Sequence, residues 1–169
     1  MRGKAVLDTR ARFMLALTAA LVAAAIYGGV VLATPPSGLT STPIAQGNVE
    51  DIDVRVKTDA WKMQLDTKGA TTLAVSENRV APGGHFGWHS HPGPSLVIVK
   101  SGTSTFYRGD DPTCTGVVHP AGTAYVDPGG VVHTARNEGT DDLVVVVTRI
   151  VPAGVAPRID EANPGNCPF

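Results

Sequence analysis

The chain has 169 residues, a net charge of −1, 43% hydrophobic content and 17% charged residues, enough for one domain with a real core. It carries no basic block beyond its first dozen residues, so there is no electrostatic case for binding nucleic acid. Nineteen glycines and thirteen prolines punctuate short Val- and Thr-rich runs, the texture of an all-β domain with many turns.

Residues 1–33 stand apart. Arg2, Lys4, Arg10 and Arg12 precede an uncharged apolar run from Phe13 to Ala33. At about 1.5 Å per residue such a helix reaches about 31 Å, enough to cross a hydrocarbon core. The run closes on V-L-A before T-P-P-S, which suits signal-peptide cleavage, so a cleaved signal peptide and a retained transmembrane anchor both remain open. In either case the basic residues stay in the cytoplasm and the rest of the chain is expected outside it, secreted or anchored to the membrane by one helix.

Residues 34–50, rich in Pro, Ser, Thr and Gly, read as a flexible linker. Residues 51–152 supply the barrel. Its predicted strands are Ile52–Lys57, Thr71–Val80, Ser95–Lys100, Thr103–Tyr107, Thr123–Val126, Val131–Ala135 and Leu143–Val151, with turn signals such as A-P-G-G and D-P-G-G between them. Helical character is expected only as one turn near D-A-W-K-M-Q. Leu96–Val99 and Leu143–Val147 are apolar at every position and should be covered on both faces. Residues 153–169 form a C-terminal tail. Export predicts a disulfide between the two cysteines, Cys114 and Cys167, with free thiols or a thiol ligand as the competing readings. Closing that loop is worth roughly 4 kcal/mol in the chain-entropy estimate.

Two of the five histidines, His89 and His91, lie one residue apart. In a strand, positions i and i+2 share a face, so both imidazoles can reach one metal ion. The longer patterns are Gly83-x5-His89-x-His91-x3-Ser95-x6-Gly102 and Gly122-x5-Pro128-x-Gly130-x2-His133-x3-Asn137. They resemble the two signature motifs of the cupin superfamily, over about 55 contiguous residues.

The resemblance implies a double-stranded β-helix, or jelly-roll, barrel whose interior holds a divalent transition metal on His89, His91 and His133. Ser95 stands where most members of that family place a metal-binding glutamate, which would leave a neutral three-histidine face. Such a face resembles that of some cupin dioxygenases, and it would favour a small anionic chelating ligand. Iron is the expected metal for an enzyme; Mn, Ni, Zn and Cu also suit imidazole. Ser95 could bond a metal-held water or substrate, or simply pack. His85 could approach the mouth of the site, or sit in an exposed turn, and Asn137 could orient the imidazoles. Trp88 should face away from the metal, His119 should lie in a loop, and Tyr107 and Tyr125 could line the barrel. Barrels of this type often pair, so a homodimer is an expectation. Two functions stay open: a dioxygenase-like oxidoreductase, and a non-catalytic extracytoplasmic barrel that binds a small ligand or metal.

Overall fold

The computed structural model describes residues 33–169, and the helix expected over residues 13–33 lies outside them save Ala33. The described residues form strands and turns with no helix. In chain order the strands are β1 (Ser37–Val49), β2 (Asp53–Lys57), β3 (Lys62–Asp66), β4 (Thr71–His85), β5 (His89–Ser90) and β6 (Ser95–Ser101). There follow β7 (Thr103–Arg108), β8 (Val117–Pro120), β9 (Ala124–Asp127), β10 (His133–Arg136), β11 (Leu143–Pro152) and β12 (Ile159–Asp160).

Ten of them make one antiparallel sheet in the order β12-β5-β10-β4-β11-β6-β9, with β1 added to β4 and the β7–β8 pair joined through β10. The strand β4 is its organiser: it pairs with β1 over its whole length, with β11 over Thr71–Val80 and with β10 at His85. Inward residues of these strands, Val80, Val97, Val99, Leu143, Val145 and Val147, make the core together with Phe86 and Ala135. Their period-2 spacing along β6 and β11 is what a strand with one face in the core requires.

Three expectations are corrected. Residues 34–50 are not a flexible linker, because most of the segment is β1, held to β4 from Ser37↔His85 to Val49↔Thr71. Pro43 is accommodated because the register shifts between Pro43 and Ala45, and a bulge tolerates a residue with no N–H to donate. The D-A-W-K-M-Q stretch is not a helical turn. Residues 59–61 bend a hairpin and residues 62–64 open β3, so that β2 and β3 form a separate two-stranded sheet, closed by the Trp61 N–H donating to Thr58 Oγ1 at 3.1 Å. Finally, β6 is covered on one face only: Val97 and Val99 are buried, while Leu96 and Ile98 are exposed. Along β11, by contrast, Leu143, Val144 and Val145 are buried in succession, as the unbroken apolar run predicts.

The tail from residue 153 is fastened to the barrel. Cys114 and Cys167 form the expected disulfide, with 5.2 Å between their Cα atoms. Beyond it, Phe169 stacks on Trp88 at 6.4 Å between ring centroids, and the Arg136 guanidinium lies 4.0 Å from the Phe169 centroid. Asn166 donates to the carbonyls of Arg108 and Asp111.

Candidate metal centre

Two short strands bring the motif histidines together. His133 on β10 is the direct cross-strand partner of His89 on β5, and His91 follows one residue after β5 ends. The three rings lie 4.3 to 5.1 Å apart, centroid to centroid. All three residues are buried, and one ligand nitrogen from each falls within 4.8 Å of the others.

Backbone carbonyls set the tautomers. His89 Nδ1 donates to the Gly87 carbonyl at 2.9 Å, His91 Nδ1 to that of Pro157 at 2.6 Å, and His133 Nδ1 to that of Val131 at 2.8 Å. A nitrogen facing a carbonyl must carry the proton, so each Nε2 keeps its lone pair. Gly87 can place its carbonyl there because its backbone has φ +70°, and a Cβ at this position would collide with the Thr34 carbonyl.

The rings are also neutral. Burial, then the nearby His133, holds His89 far below the ordinary histidine value. Burial pushes His91 down to about 4, against the raising effect of its bond to Pro157. Burial lowers His133 as well, although Asp127 opposes it. Three lone pairs therefore converge in a buried space with no proton of their own, which is the donor set a divalent transition metal takes from imidazole.

Sequence reasoning missed two polar members of the site, Asp127 and Arg149. Asp127, the first residue of the D-P-G-G turn, is buried with Oδ2 3.7 Å from His91 Nε2 and 3.4 Å from His133 Nε2. Its Oδ1 accepts the Gly129 N–H at 3.0 Å, while Oδ2 has no hydrogen-bond partner. Gly129 makes this bond from φ +81°, and a Cβ there would lie 2.5 Å from the Gly93 carbonyl oxygen.

Ser95 faces the same space and its Oγ also lacks a partner. It sits directly opposite Asp127 on β9 and opposite Arg149 on β11. Arg149 is a third polar group on the cavity wall. It donates from an Nη to Ser76 Oγ at 3.2 Å, whereas its Nε has no partner, and burial draws its pKa below the usual arginine value. The apolar side of the cavity includes Phe86, Phe106, Tyr125 and Val147. The cavity volume is about 30 Å³, and a single water needs roughly 10–15 Å³, so the cavity suits an ion with one or two small partners.

Residues 77–149 match the protein-family model described as a cupin domain. They form a cupin. No curated protein matches the chain. Among solved structures, the chain is similar to an uncharacterized conserved protein with a double-stranded beta-helix domain from Klebsiella pneumoniae. The identity is 23% and the TM-score 0.45, over 66% of this chain and 85% of that one. It is also similar to a cupin-like protein from Thermotoga maritima, at 24% identity and a TM-score of 0.46, over 54% of this chain and 65% of that one.

Of the remaining expected residues, Tyr125 lines this cupin's cavity and the others stand outside it. His85 ends β4 half-buried, and its Nδ1 accepts the Gly87 N–H at 3.1 Å, the opposite tautomer to that of the three inner histidines. Asn137 touches no imidazole. Its Nδ2 donates to the carbonyls of Val80 and Asp141 and its Oδ1 accepts from the Gly139 N–H, so it ties β10 to β4 and shapes the turn that leads to β11. Trp88 is buried against Phe169, as expected of a residue facing away from the three inner histidines. His119 lies on β8 rather than in a loop, stacked on Tyr125 at 4.2 Å. Tyr125 lines the cavity, and Tyr107 instead donates its hydroxyl to Glu138 at 2.7 Å.

Proposed function

We propose that this cupin holds one divalent transition metal on His89, His91 and His133 and presents it to a small anionic chelating ligand, outside the cytoplasm. The observation that carries the metal assignment is the orientation of the three imidazoles, each with Nδ1 tied to a carbonyl and Nε2 turned inward. Arg149 supports an anionic ligand: its side chain keeps a positive charge in a protein, it lines the cavity, and its Nε is without a partner. The disulfide supports an oxidising compartment.

A metal held there would act as a Lewis acid and, if it were iron, would support dioxygen chemistry. The chain's own contribution would be positional. The carbonyls of Gly87, Val131 and Pro157 hold the imidazoles still, Arg149 steers the anion, and the aromatic wall keeps water scarce. The enzymatic form of this reading is a dioxygenase-like oxidoreductase. The small cavity favours a second reading, a barrel that binds metal and a small ligand without turnover.

Oxygen uptake by the metal-loaded full-length protein, with thiols, catechols and diketones as candidate substrates, decides between the two. Substrate-dependent uptake lost in His133→Ala supports the enzyme. Metal binding with azide affinity but no uptake supports the binding barrel.

A further inference from the structure

We propose that Asp127 is a fourth ligand of the metal centre, a carboxylate delivered from β9 on the side of the cavity where β6 offers only Ser95. The inference rests on the metal-binding reading above and adds a residue to it.

The donors and acceptors around Asp127 do not balance. Each inner histidine has used its proton on a backbone carbonyl, so His91 Nε2 and His133 Nε2 are acceptors, and Asp127 Oδ2 faces both at 3.7 and 3.4 Å. No donor stands between them, and Oδ2 is bonded to nothing. A buried carboxylate oxygen against two lone pairs is unfavourable by itself. A cation placed among them satisfies all of the acceptors at once.

The spacing also suits a shared ion. Metal–ligand bonds of about 2.0–2.1 Å at a tetrahedral angle put two ligand atoms about 3.3–3.4 Å apart. The contacts of Oδ2 at 3.4 and 3.7 Å lie close to that edge without any movement of the chain.

The side chain is also held in place. The bond from the Gly129 N–H to Oδ1 fixes the carboxylate plane and leaves Oδ2 aimed at the imidazoles. The register supplies the rest: Ser95 and Asp127 are direct partners across β6 and β9, so their side chains share one face and one neighbourhood. A serine hydroxyl is a poor ligand for a divalent ion. The carboxylate opposite can take that corner, and it lowers the charge of the loaded centre by one.

The test is a set of Co²⁺ titrations against a competing chelator, on full-length wild type, Asp127→Asn, His133→Ala, and Asp127→Asn combined with Ser95→Glu. Asparagine keeps an oxygen for the Gly129 N–H and removes the ligating oxygen, so the turn survives, and circular dichroism checks that it does. Loss of a residue that merely orients a ligand costs about 10- to 100-fold in affinity, so Asp127→Asn should weaken Co²⁺ by at least about tenfold. It should also change the visible spectrum of the bound Co²⁺. Adding Ser95→Glu should restore most of the affinity, because a longer carboxylate then enters from the facing strand.

Wild-type affinity and spectrum in Asp127→Asn would overturn the fourth ligand while leaving the three-histidine site intact. A double variant no tighter than Asp127→Asn would overturn it too, since the loss would not then be that of a carboxylate at this corner. Absence of Co²⁺ binding in wild type would instead overturn the metal-binding reading on which the inference rests.

Discussion

Acid should unfold the metal-free protein through its buried histidines, in a pH window that the structure defines. His91 is buried and held neutral, its pKa pushed from the ordinary 6.5 down to about 4. Between those values the unfolded chain binds a proton that the folded one refuses, so acidification favours unfolding and stability rises with pH. For His91 alone the two pKa values give a loss of about 2 kcal/mol between pH 7 and pH 5, and about 3 kcal/mol once both states are protonated. Burial lowers His89 and His133 in the same direction, and His85 and His119 as well. The carboxylates act elsewhere. Lys100 lowers Glu77, Arg108 lowers Asp110, and Thr113 lowers Asp111, from ordinary values of 4.5 and 3.8. Their support is lost only as the pH falls below those values, so the range from pH 7 to pH 5 belongs to the histidines. Urea unfolding of chelator-treated protein at pH 7 and pH 5 measures the effect. Wild type should lose at least about 2 kcal/mol, a large share of a typical total of about 5–15 kcal/mol. His91→Asn, which keeps a donor for the Pro157 carbonyl, should lose about 2 kcal/mol less over the same range. Equal stability at both pH values would refute the argument that these imidazoles are buried and neutral.

Removing the disulfide with Cys114→Ser and Cys167→Ser, whose cysteines lie 53 residues apart, should cost roughly 4 kcal/mol in urea unfolding; a loss below about 1 kcal/mol would contradict the staple. Gly129→Ala puts a side chain at φ +81° with its Cβ 2.5 Å from the Gly93 carbonyl oxygen, and should lower stability by about 1–3 kcal/mol; an unchanged melting temperature would mean that the D-P-G-G turn is not held as described. Arg149→Gln should weaken azide binding to the Co²⁺-loaded protein several-fold and leave Co²⁺ affinity near that of wild type; unchanged azide affinity would remove Arg149 as the anion anchor.

The sequence and the structure agree where local rules govern. The i, i+2 parity of His89 and His91 needs only a strand, whereas His133 was legible through the resemblance of the spacing around it to the second cupin motif. Asp127 was not. Its place in the site depends on the pairing of β9 with β6, a non-local register, and an Asp before Pro-Gly-Gly has the same composition as any turn. The strand β1 was hidden for a related reason: among the described residues its only strand partner is β4, and it is largely exposed, so its composition is close to that of a linker. The outer face of β6 misled in the opposite direction, because hydrophobic residues at Leu96 and Ile98 signal burial that the described residues do not provide. Asn137 has the motif spacing, but a buried amide spends its bonds on the nearest backbone groups, and those are carbonyls and an N–H of its own turn region.

The central claim is that His89, His91 and His133 hold a metal, and elemental analysis of full-length protein purified without a histidine tag tests it most directly. Wild type should carry close to one divalent transition metal per chain, and His133→Ala, folded by circular dichroism, should carry far less. Metal-free wild type that takes up no added Co²⁺, or equal metal content in His133→Ala and wild type, would contradict it.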